Sequence, residues 1–310
     1  MKMISKVPYN ARLGPRITLG LSCLAAAITT LPSGALENPE IRPSVSGIAH
    51  VALRMRDTDK TLGFYRDFLG LPERFRTNRV PGRPNVYYKK DGSPADQEKE
   101  KQGALMLVDL RIGNDQSLEL FAGRAEGQPV LYHPALTSPD LEATRERLAT
   151  QSAAVPPPAA HDTEPLKSFF TRDPGGTEIE IARPREGSAP QRNGGNDLGA
   201  RLKSIVYHCS ADAAQVSRFF SDGLGMSVTA ESGGIAATAT NGDRLEPKSD
   251  GSECPVLIFE AGDLQAARFF LENRPNRASY HSDLEVKEAD GRSFVELRDP
   301  DGVRVLIVQK

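Results

Sequence analysis

Two histidines and two glutamates stand at matching points of a repeated strand pattern. Each histidine lies in an apolar segment, Ile-Ala-His-Val-Ala-Leu around His50 and Leu-Tyr-His-Pro-Ala-Leu around His133. Each glutamate lies in an alternating segment, Ser-Leu-Glu-Leu-Phe around Glu119 and Thr-Glu-Ile-Glu-Ile around Glu180. Two imidazoles and two carboxylates that converge can hold a divalent metal, and Zn, Ni, Co, Mn or Fe would accept such a set with positions left for substrate.

Strand alternation decides where these side chains point. Successive side chains of a strand lie on opposite faces, so Glu180 lies opposite Ile179 and Ile181, and Glu119 likewise lies between two leucines. If the apolar rows pack on helices, both carboxylates face the inner side of a curved sheet. An unpaired carboxylate there is costly, and a cation would explain it. The alternative is that the histidines are ordinary strand residues and that Glu178 and Glu180 form an exposed face.

Internal repetition organises the chain. The stretch Phe-Tyr-Arg-Asp-Phe-Leu-Gly-Leu at 64–71 returns as Phe-Phe-Ser-Asp-Gly-Leu-Gly-Met at 219–226. The turn Asp-Pro-Gly-Gly at 173–176 returns as Asp-Pro-Asp-Gly at 299–302. Repetition at this spacing indicates duplicated structural units.

The repeats divide the chain into two copies of one plan, residues 45–184 and 200–310, joined by a Gly- and Pro-containing linker at 185–199. Each copy divides again, so we predict an α+β fold of four βαβββ modules, with curved mixed sheets and helices outside. In the first copy we expect a helix after Asp57, a second helix at 140–150, and these strands: 47–55, 72–77, 104–111, 117–123, 129–136, 167–171 and 177–182.

The first 35 residues differ from the rest. Residues 1–35 hold four basic residues and no acidic one, with an uncharged apolar run at 17–31 followed by Ser33-Gly34-Ala35. This pattern is typical of a cleaved secretory signal peptide, and the run is short for a membrane span, although an uncleaved anchor stays open. We therefore expect a periplasmic or secreted protein.

Charge and composition limit the classes of partner that this protein is expected to bind. The formal net charge of −2 includes the four leader cations, so the mature chain is mildly acidic, which disfavours nucleic acid and anionic membranes as partners. Trp is absent, which argues against stacking on single-stranded nucleic acid. We expect a small-molecule substrate, no nucleic acid, and no membrane contact beyond export.

The pattern resembles the vicinal oxygen chelate superfamily, which includes glyoxalase I, bleomycin- and fosfomycin-resistance proteins, methylmalonyl-CoA epimerase and extradiol ring-cleaving dioxygenases. The resemblance covers nearly the whole mature chain and is most specific at 50–71 and 168–181. It implies two paired-module, glyoxalase-like domains. Because family sites form within one chain or between two, it admits a monomer or a homodimer, and two module pairs in one chain favour a site within the chain.

The resemblance also implies the ligands. In the family, the first and last strands of each module hold a divalent metal, which carries over to His50 and Glu119 in one module and to His133 and Glu180 in the next. The lyase and epimerase branches use a four-ligand set of this type, whereas the fosfomycin-resistance and dioxygenase branches use two histidines and one glutamate.

The second copy departs from this pattern. Leu306 aligns with Glu180, the position of His133 falls near Val256, and His208 lies near the place of His50 but three residues closer to its helix motif. We therefore expect the domain at 200–310 to be degenerate and to hold no metal.

Two further segments bear on substrate chemistry. His161 lies where extradiol dioxygenases place an active-site histidine, but the tyrosine that follows in that family is Phe170 here. The other interpretation of His161 is an exposed loop residue. An insertion at about 76–103, which carries Arg76 and other basic residues, could cover an anionic substrate or be a solvated loop.

Three functions remain open. The first is an exported metal-dependent lyase or isomerase that acts on a small vicinal-oxygen substrate, with Glu119 or Glu180 as base. The second is an Fe(II) extradiol-type dioxygenase that uses His161. The third is a non-catalytic protein that sequesters a ligand, as bleomycin-resistance proteins do.

Overall fold

The computed structural model describes residues 45–90, 92–113, 115–151, 168–183, 196–251, 253–280, 284–289 and 291–310. The predicted signal peptide at 1–35, His161 and most of the predicted linker at 185–199 lie outside these residues. Within the described ranges, no helix is both long and apolar enough to span a membrane.

The first half of the described chain forms an eight-stranded mixed sheet. Its strands occur in the order β3-β2-β4-β5-β1-β6-β8-β7. Its elements are β1 (Gly47–Met55), α1 (Thr58–Leu62), β2 (Glu73–Arg79), β3 (Val86–Tyr88), α2 (Pro94–Glu100), β4 (Ala104–Arg111), β5 (Ser117–Ala122), β6 (Leu131–Thr137), α3 (Leu141–Thr150), β7 (Ser168–Arg172) and β8 (Glu178–Ala182). We call it the N-terminal sheet.

The second half repeats this plan in another eight-stranded sheet, the C-terminal sheet. Its strands occur in the order β10-β11-β12-β9-β13-β16-β15-β14. Its elements are β9 (Ala200–His208), α4 (Ala213–Arg218), β10 (Ser227–Glu231), β11 (Gly234–Thr238), β12 (Arg244–Lys248), β13 (Val256–Ala261), α5 (Leu264–Glu272), β14 (Lys287–Ala289), β15 (Arg292–Arg298) and β16 (Arg304–Gln309). The predicted α+β class and the paired modules are confirmed.

Local sequence explains where the helices begin. Asp57 caps α1 by accepting a hydrogen bond from the Lys60 backbone N–H at 3.1 Å, as its position predicts. Helix α3 begins two residues later than a cap at Ser138 would place it, because Asp140 accepts from the Ala143 N–H at 3.0 Å. Ser138 instead bonds the Asp140 backbone.

The repeated Phe-rich motif forms a π-helical turn in both halves. In the first half the Leu69 N–H donates to the Phe64 carbonyl at 2.9 Å, and in the second the Leu224 N–H donates to the Phe219 carbonyl at 3.1 Å. Gly70 ends the first turn with φ of +72°, a conformation that favours glycine. Apolar side chains of both motifs are buried and join the core that the helices form with the outer faces of the sheets.

The two halves are tied together by buried hydrogen bonds. The Tyr65 hydroxyl donates to Asp299 at 2.9 Å, and the Tyr207 hydroxyl donates to Asp173 at 2.8 Å. Each bond joins a tyrosine of one half to the aspartate that opens the Asp-Pro turn of the other. The two bonds start from different elements, the Phe-rich turn for Tyr65 and strand β9 for Tyr207, and both fasten an Asp-Pro turn to the other half.

Candidate metal centre

Strand register places the four predicted ligands in two adjacent rows across the N-terminal sheet. In the first row, His50 of β1 pairs with Ala135 of β6, and Ala135 pairs with Glu180 of β8. In the second row, Ala52 of β1 lies between Glu119 of β5 and His133 of β6. Residues two apart on a strand share a face, so all four ligands lie on one face, which we call the site face.

A β-bulge precedes His50. Ile48 pairs with Leu136 while His50 pairs with the adjacent Ala135, so Ala49 is an extra residue on β1. A bulge bends its strand and redirects the side chains that follow it. His50 is the first paired residue after the bulge.

A second bulge precedes His133. Leu53 pairs with Leu131 and Ala52 pairs with His133, so Tyr132 is the extra residue on β6. The bulge brings the Tyr132 ring to the same side as its sequence neighbour, with the Tyr132 and His133 ring centroids 4.9 Å apart. Bulges are frequent next to functional sites because they re-aim side chains in this way.

Three donor atoms meet on the site face. The Nε2 atoms of His50 and His133 are 3.3 Å apart, and the Oε2 atom of Glu180 lies 3.2 Å from His50 Nε2 and 3.4 Å from His133 Nε2. Both histidines are buried. Among the described residues, these three form the one group of His, Cys, Asp or Glu donors close enough together to share an ion.

Glu119 lies at the edge of this group. Its Oε2 atom is 3.7 Å from His50 Nε2, and it is not a member of the group of three. The four-ligand set inferred from the family resemblance therefore stays a prediction. The structure brings three of the ligands together and leaves the fourth, the Glu119 carboxylate, beside them.

The electrostatics show how strongly the site favours positive charge. Burial by itself would lower the pKa of His50, but the charges of Glu119 and Glu180 outweigh it and raise the pKa to about 9. Burial would raise the pKa of Glu180, but hydrogen bonds from His133 and His50 lower it. Burial raises the pKa of Glu119 against the opposing charge of His50.

The arrangement fits a divalent metal. Bonds of about 2.0–2.2 Å to one ion place neighbouring ligand atoms about 3.0–3.5 Å apart, which matches the separations among His50, His133 and Glu180. The Nδ1 atom of His133 is buried without a hydrogen-bond partner among the described residues. Metal ligands must be deprotonated, so metal binding at these residues would release any proton that they hold.

Aromatic side chains surround the donors. The Phe170 ring meets the His133 ring edge-on, with centroids 5.3 Å apart, and the Phe121 ring meets the Tyr132 ring at 4.8 Å. These rings make an apolar wall beside a polar centre, as ligand sites commonly do. Phe170 was noted in the sequence, whereas the position of Tyr132 depends on a bulge that the sequence does not announce.

Sequence reasoning also missed Asp109. It pairs with Glu119 across β4 and β5, is fully buried, and is bound by both ends of the Arg74 guanidinium. Its charge contributes to the raised pKa of His50. The available signal was an aspartate in the middle of the apolar strand at 104–111.

The C-terminal counterparts can now be placed by register. Ser204, the first paired residue after the β9 bulge, occupies the place of His50, and His208 does not. His208 lies four residues later and is exposed. Val256 and Leu306 occupy the places of His133 and Glu180, as the alignment predicts.

Comparison with known proteins agrees with this geometry. Residues 47–181 match the model of the Glyoxalase/Bleomycin resistance protein/Dioxygenase superfamily. This match assigns the segment 47–181 to the vicinal oxygen chelate superfamily. The matched segment is the N-terminal sheet with its two modules and all four predicted ligands. No curated protein matches the chain in sequence.

Solved structures share the fold over most of the chain. The 2,3-dioxygenase LapB from Pseudomonas sp. KL28 aligns with a TM-score of 0.59 and 13% identity, over 86% of this chain and 93% of that one. A catechol 2,3-dioxygenase aligns with a TM-score of 0.59 and 16% identity, over 86% and 88%. The Mn(II)-bound glyoxalase from Novosphingobium aromaticivorans aligns with a TM-score of 0.58 and 15% identity, over 86% and 83%. At these identities the likeness concerns the fold alone.

Proposed function

We propose that this chain is a metal-dependent enzyme of the lyase or isomerase type that moves a proton on a small substrate with two adjacent oxygens. The observation that carries the proposal is the group of three donors, separated by 3.2 to 3.4 Å, with a second carboxylate, Glu119, beside it. Three protein ligands leave coordination positions for two substrate oxygens. The separate carboxylate supplies a proton acceptor.

His50, His133 and Glu180 would hold the metal, which when bound would polarise the two substrate oxygens and stabilise the negative charge that develops on them. Glu119 is the better candidate for the base. It lies 3.7 Å from His50 Nε2 and outside the group of three, so an oxygen of its carboxylate can face substrate. Glu180 contacts both histidines, so its carboxylate is less free to accept a proton from the substrate.

The neighbouring side chains suit this role. Asp109 places a second carboxylate next to Glu119, but Arg74 neutralises it through a two-pronged ion pair. The Phe121, Tyr132 and Phe170 rings cover the donors from the side and limit access of water.

We also propose that the protein works after export, on the basis of the basic and apolar leader at 1–35. An exported enzyme would not meet glutathione or coenzyme A adducts, so we infer a small oxygenated metabolite or an acid derived from a sugar or an aromatic compound. Mass spectrometry of the protein recovered outside the cytoplasm would show whether the leader is removed. An intact leader on such protein would contradict cleavage.

A second candidate function is an Fe(II) extradiol-type dioxygenase. The specific observation in its favour is the two-histidine, one-glutamate group, which is the ligand set of many non-haem iron oxygenases. Phe170 lies against His133 and offers no hydroxyl there. Oxygen uptake by the Fe(II)-loaded protein with a panel of catechols decides this candidate, and no uptake would exclude it.

The proton-transfer proposal is tested by isotope exchange. The protein is stripped with a chelator, reloaded in turn with Zn, Ni, Co, Mn or Fe, and incubated in D2O with α-hydroxycarbonyl compounds, and C–H loss is followed by NMR. We expect Glu119→Gln to keep the metal and to lose at least about 100-fold of the exchange rate. Glu246→Gln, on the C-terminal sheet, is the matched control and should exchange as the wild type does. Exchange by Glu119→Gln at the wild-type rate would exclude Glu119 as the base.

A further inference from the structure

A large cavity adjoins the site face and belongs to neither sheet alone. Its volume is about 720 Å³, within the range of small-molecule sites. The N-terminal sheet contributes Arg54, Tyr132 and Arg172 to its lining, and the C-terminal half contributes Tyr207 and His208. Tyr132 is shared with the aromatic wall of the metal centre, so the cavity begins where the site face ends.

Register places the edge of this cavity one row beyond the predicted ligands. Arg54 pairs with Phe121, two positions past the row that holds Glu119 and His133. Two residues of a strand span about 7 Å, so a small molecule can reach from the metal centre to Arg54. On the far strands, Arg172 and Glu178 form the last paired row.

The cavity is positively charged although the protein as a whole is not. Four arginines line it, against two carboxylates, and the formal net charge of the chain is −2. The arginines are Arg54, Arg56, Arg124 and Arg172, and the carboxylates are Glu178 and Asp301. A local excess of cations in a concave site attracts and orients an anion.

Arg54 is held in place without a carboxylate partner. Its guanidinium lies 3.8 Å from the centre of the Tyr132 ring and donates to the backbone carbonyls of Pro129 at 3.3 Å and Leu131 at 3.4 Å. No ion pair to Arg54 occurs among the described residues. The side chain is therefore ordered before any ligand arrives, and its charge is not neutralised.

Arg124 is buried and only partly paired. Its Nη2 atom lies 3.4 Å from Asp301 Oδ1, while Nε and Nη1 have no partner within the described part of the chain. Asp301 itself is engaged elsewhere, since it accepts from the Thr61 hydroxyl at 2.9 Å and from the Arg56 backbone N–H at 3.3 Å. These two atoms are closed to solvent, so an anion in the cavity would interact with Arg124 through its positive charge and not through hydrogen bonds to Nε or Nη1.

We propose that this cavity binds a carboxylate of the substrate, with Arg54 as the principal contact and Arg124 as the buried charge behind it. The inference rests on the proposed function, because the same substrate would present its two adjacent oxygens to the metal centre. The substrate class is thereby narrowed to carboxylic acids in which the carboxylate lies several bonds from the oxygen pair. Arg76 in the predicted insertion is not available for this role, since it is paired with Glu73 at 2.8 Å.

The test compares matched ligands by calorimetry on Zn-loaded protein, in which catechols are bound and not oxidised. The probes are 3-(3,4-dihydroxyphenyl)propionate and its neutral amide. We expect the carboxylate to bind at least about tenfold more tightly than the amide at low salt. In Arg54→Met, which keeps the stem over Tyr132, we expect the two affinities to fall within about twofold of each other. Arg79→Met, which removes an exposed arginine away from the cavity lining, should keep the wild-type preference.

A second pair of probes separates this inference from the proposed function. Metal-free protein is titrated with 3-phenylpropionate and its amide, which lack adjacent oxygens. Discrimination here, lost in Arg54→Met, together with no gain in affinity from the two adjacent hydroxyls on Zn-loaded protein, would keep the carboxylate site and overturn the proposed function. Equal binding of acid and amide in both pairs would overturn the carboxylate site, whatever the metal centre does.

Discussion

The two sheets share one topology and differ at the positions where the N-terminal sheet carries its donors. By register, His50, Glu119, His133 and Glu180 correspond to Ser204, Glu246, Val256 and Leu306. One of the four ligand-type side chains, Glu246, remains in the C-terminal sheet. Both sheets therefore have equivalent backbone positions, but only the N-terminal sheet carries a metal-ligating type of side chain at all four of them.

The remaining glutamate of the C-terminal sheet is satisfied within the protein. The Ser204 hydroxyl donates to Glu246 at 2.7 Å, and Arg244 Nε lies 3.4 Å from the same carboxylate. In the N-terminal sheet, His50, His133 and Glu180 contact mainly one another. In the C-terminal sheet, therefore, a hydroxyl and a cation of the protein itself satisfy the buried carboxylate.

The backbone differs as well. The pairing of β9 with β13 contains one bulge, at Lys203, which corresponds to the Ala49 bulge. The counterpart of the Tyr132 bulge is absent from the described β9–β13 ladder, where Val256 and Leu257 pair in regular register with Val206 and Ile205. The bulge that brings Tyr132 beside His133 thus occurs with the donor set, as expected of a feature that shapes a site.

In each half, a side chain from the other half bonds the backbone next to the bulge of the first strand. The Gln116 side chain bonds both backbone groups of Leu202, at 2.8 and 3.0 Å, just before the Lys203 bulge. Asp243 accepts the Ile48 N–H at 3.1 Å, just before the Ala49 bulge that positions His50. The C-terminal half therefore contributes Asp243 to the geometry of the metal centre although its own sheet lacks the donors.

The largest expected effect concerns metal-linked stability. With free Zn about 1,000-fold above its dissociation constant, metal should raise the free energy of unfolding by about 4 kcal/mol, and a chelator should remove that gain. Glu180→Gln should abolish the gain because it removes a donor, whereas Leu306→Gln at the corresponding position should keep it. Thermal unfolding with and without Zn measures both, and an equal loss in the two variants would contradict the comparison.

A smaller effect is expected at Asp243 and Gln116, the side chains that bond the backbone of the other half beside each bulge. Asp243→Ala and Gln116→Ala should each lower the free energy of unfolding by about 2 kcal/mol, since both leave buried backbone groups unpaired. Only Asp243→Ala should also weaken metal binding, by about tenfold, because it releases the strand that carries His50. Denaturant titration and metal titration of both variants provide the two readings. Equal metal affinity in the two variants would show that Asp243 does not influence the position of His50 in the metal centre.

The smallest effect is expected at Ser204. Ser204→Ala removes the hydroxyl that satisfies Glu246 and should cost about 1 kcal/mol of stability with no change in metal affinity. Denaturant unfolding and metal titration measure the two quantities. A clear loss of metal affinity would mean that the C-terminal sheet takes part in binding.

Much of this arrangement was predictable from the sequence, because strands and repeats leave periodic signals. Period-two alternation placed Glu119 and Glu180 on an inner face, and the repeated Phe-rich and Asp-Pro motifs gave four modules. The strand bounds in the first half agree with prediction to within about two residues at most ends. The positions of Val256 and Leu306 followed from the same counting.

The remaining features depend on contacts between distant segments. The sequence placed His208 near the position of His50 but three residues closer to its helix motif, and the β9 ladder places Ser204 there instead. The bulge at Tyr132 and the pairing of Asp109 with Arg74 are set by neighbouring strands. No local pattern announces them, since each is stabilised only when the partner segment is in place.

The most direct test of the central claim is the metal content of the purified protein after reconstitution, measured by elemental analysis per chain. The account predicts about one ion per chain in the wild type, none in the His133→Ala, Glu180→Ala double variant, and one in the Val256→Ala, Leu306→Ala double variant at the corresponding positions. No ion in the reconstituted wild type, or one ion retained in the His133→Ala, Glu180→Ala variant, would contradict it.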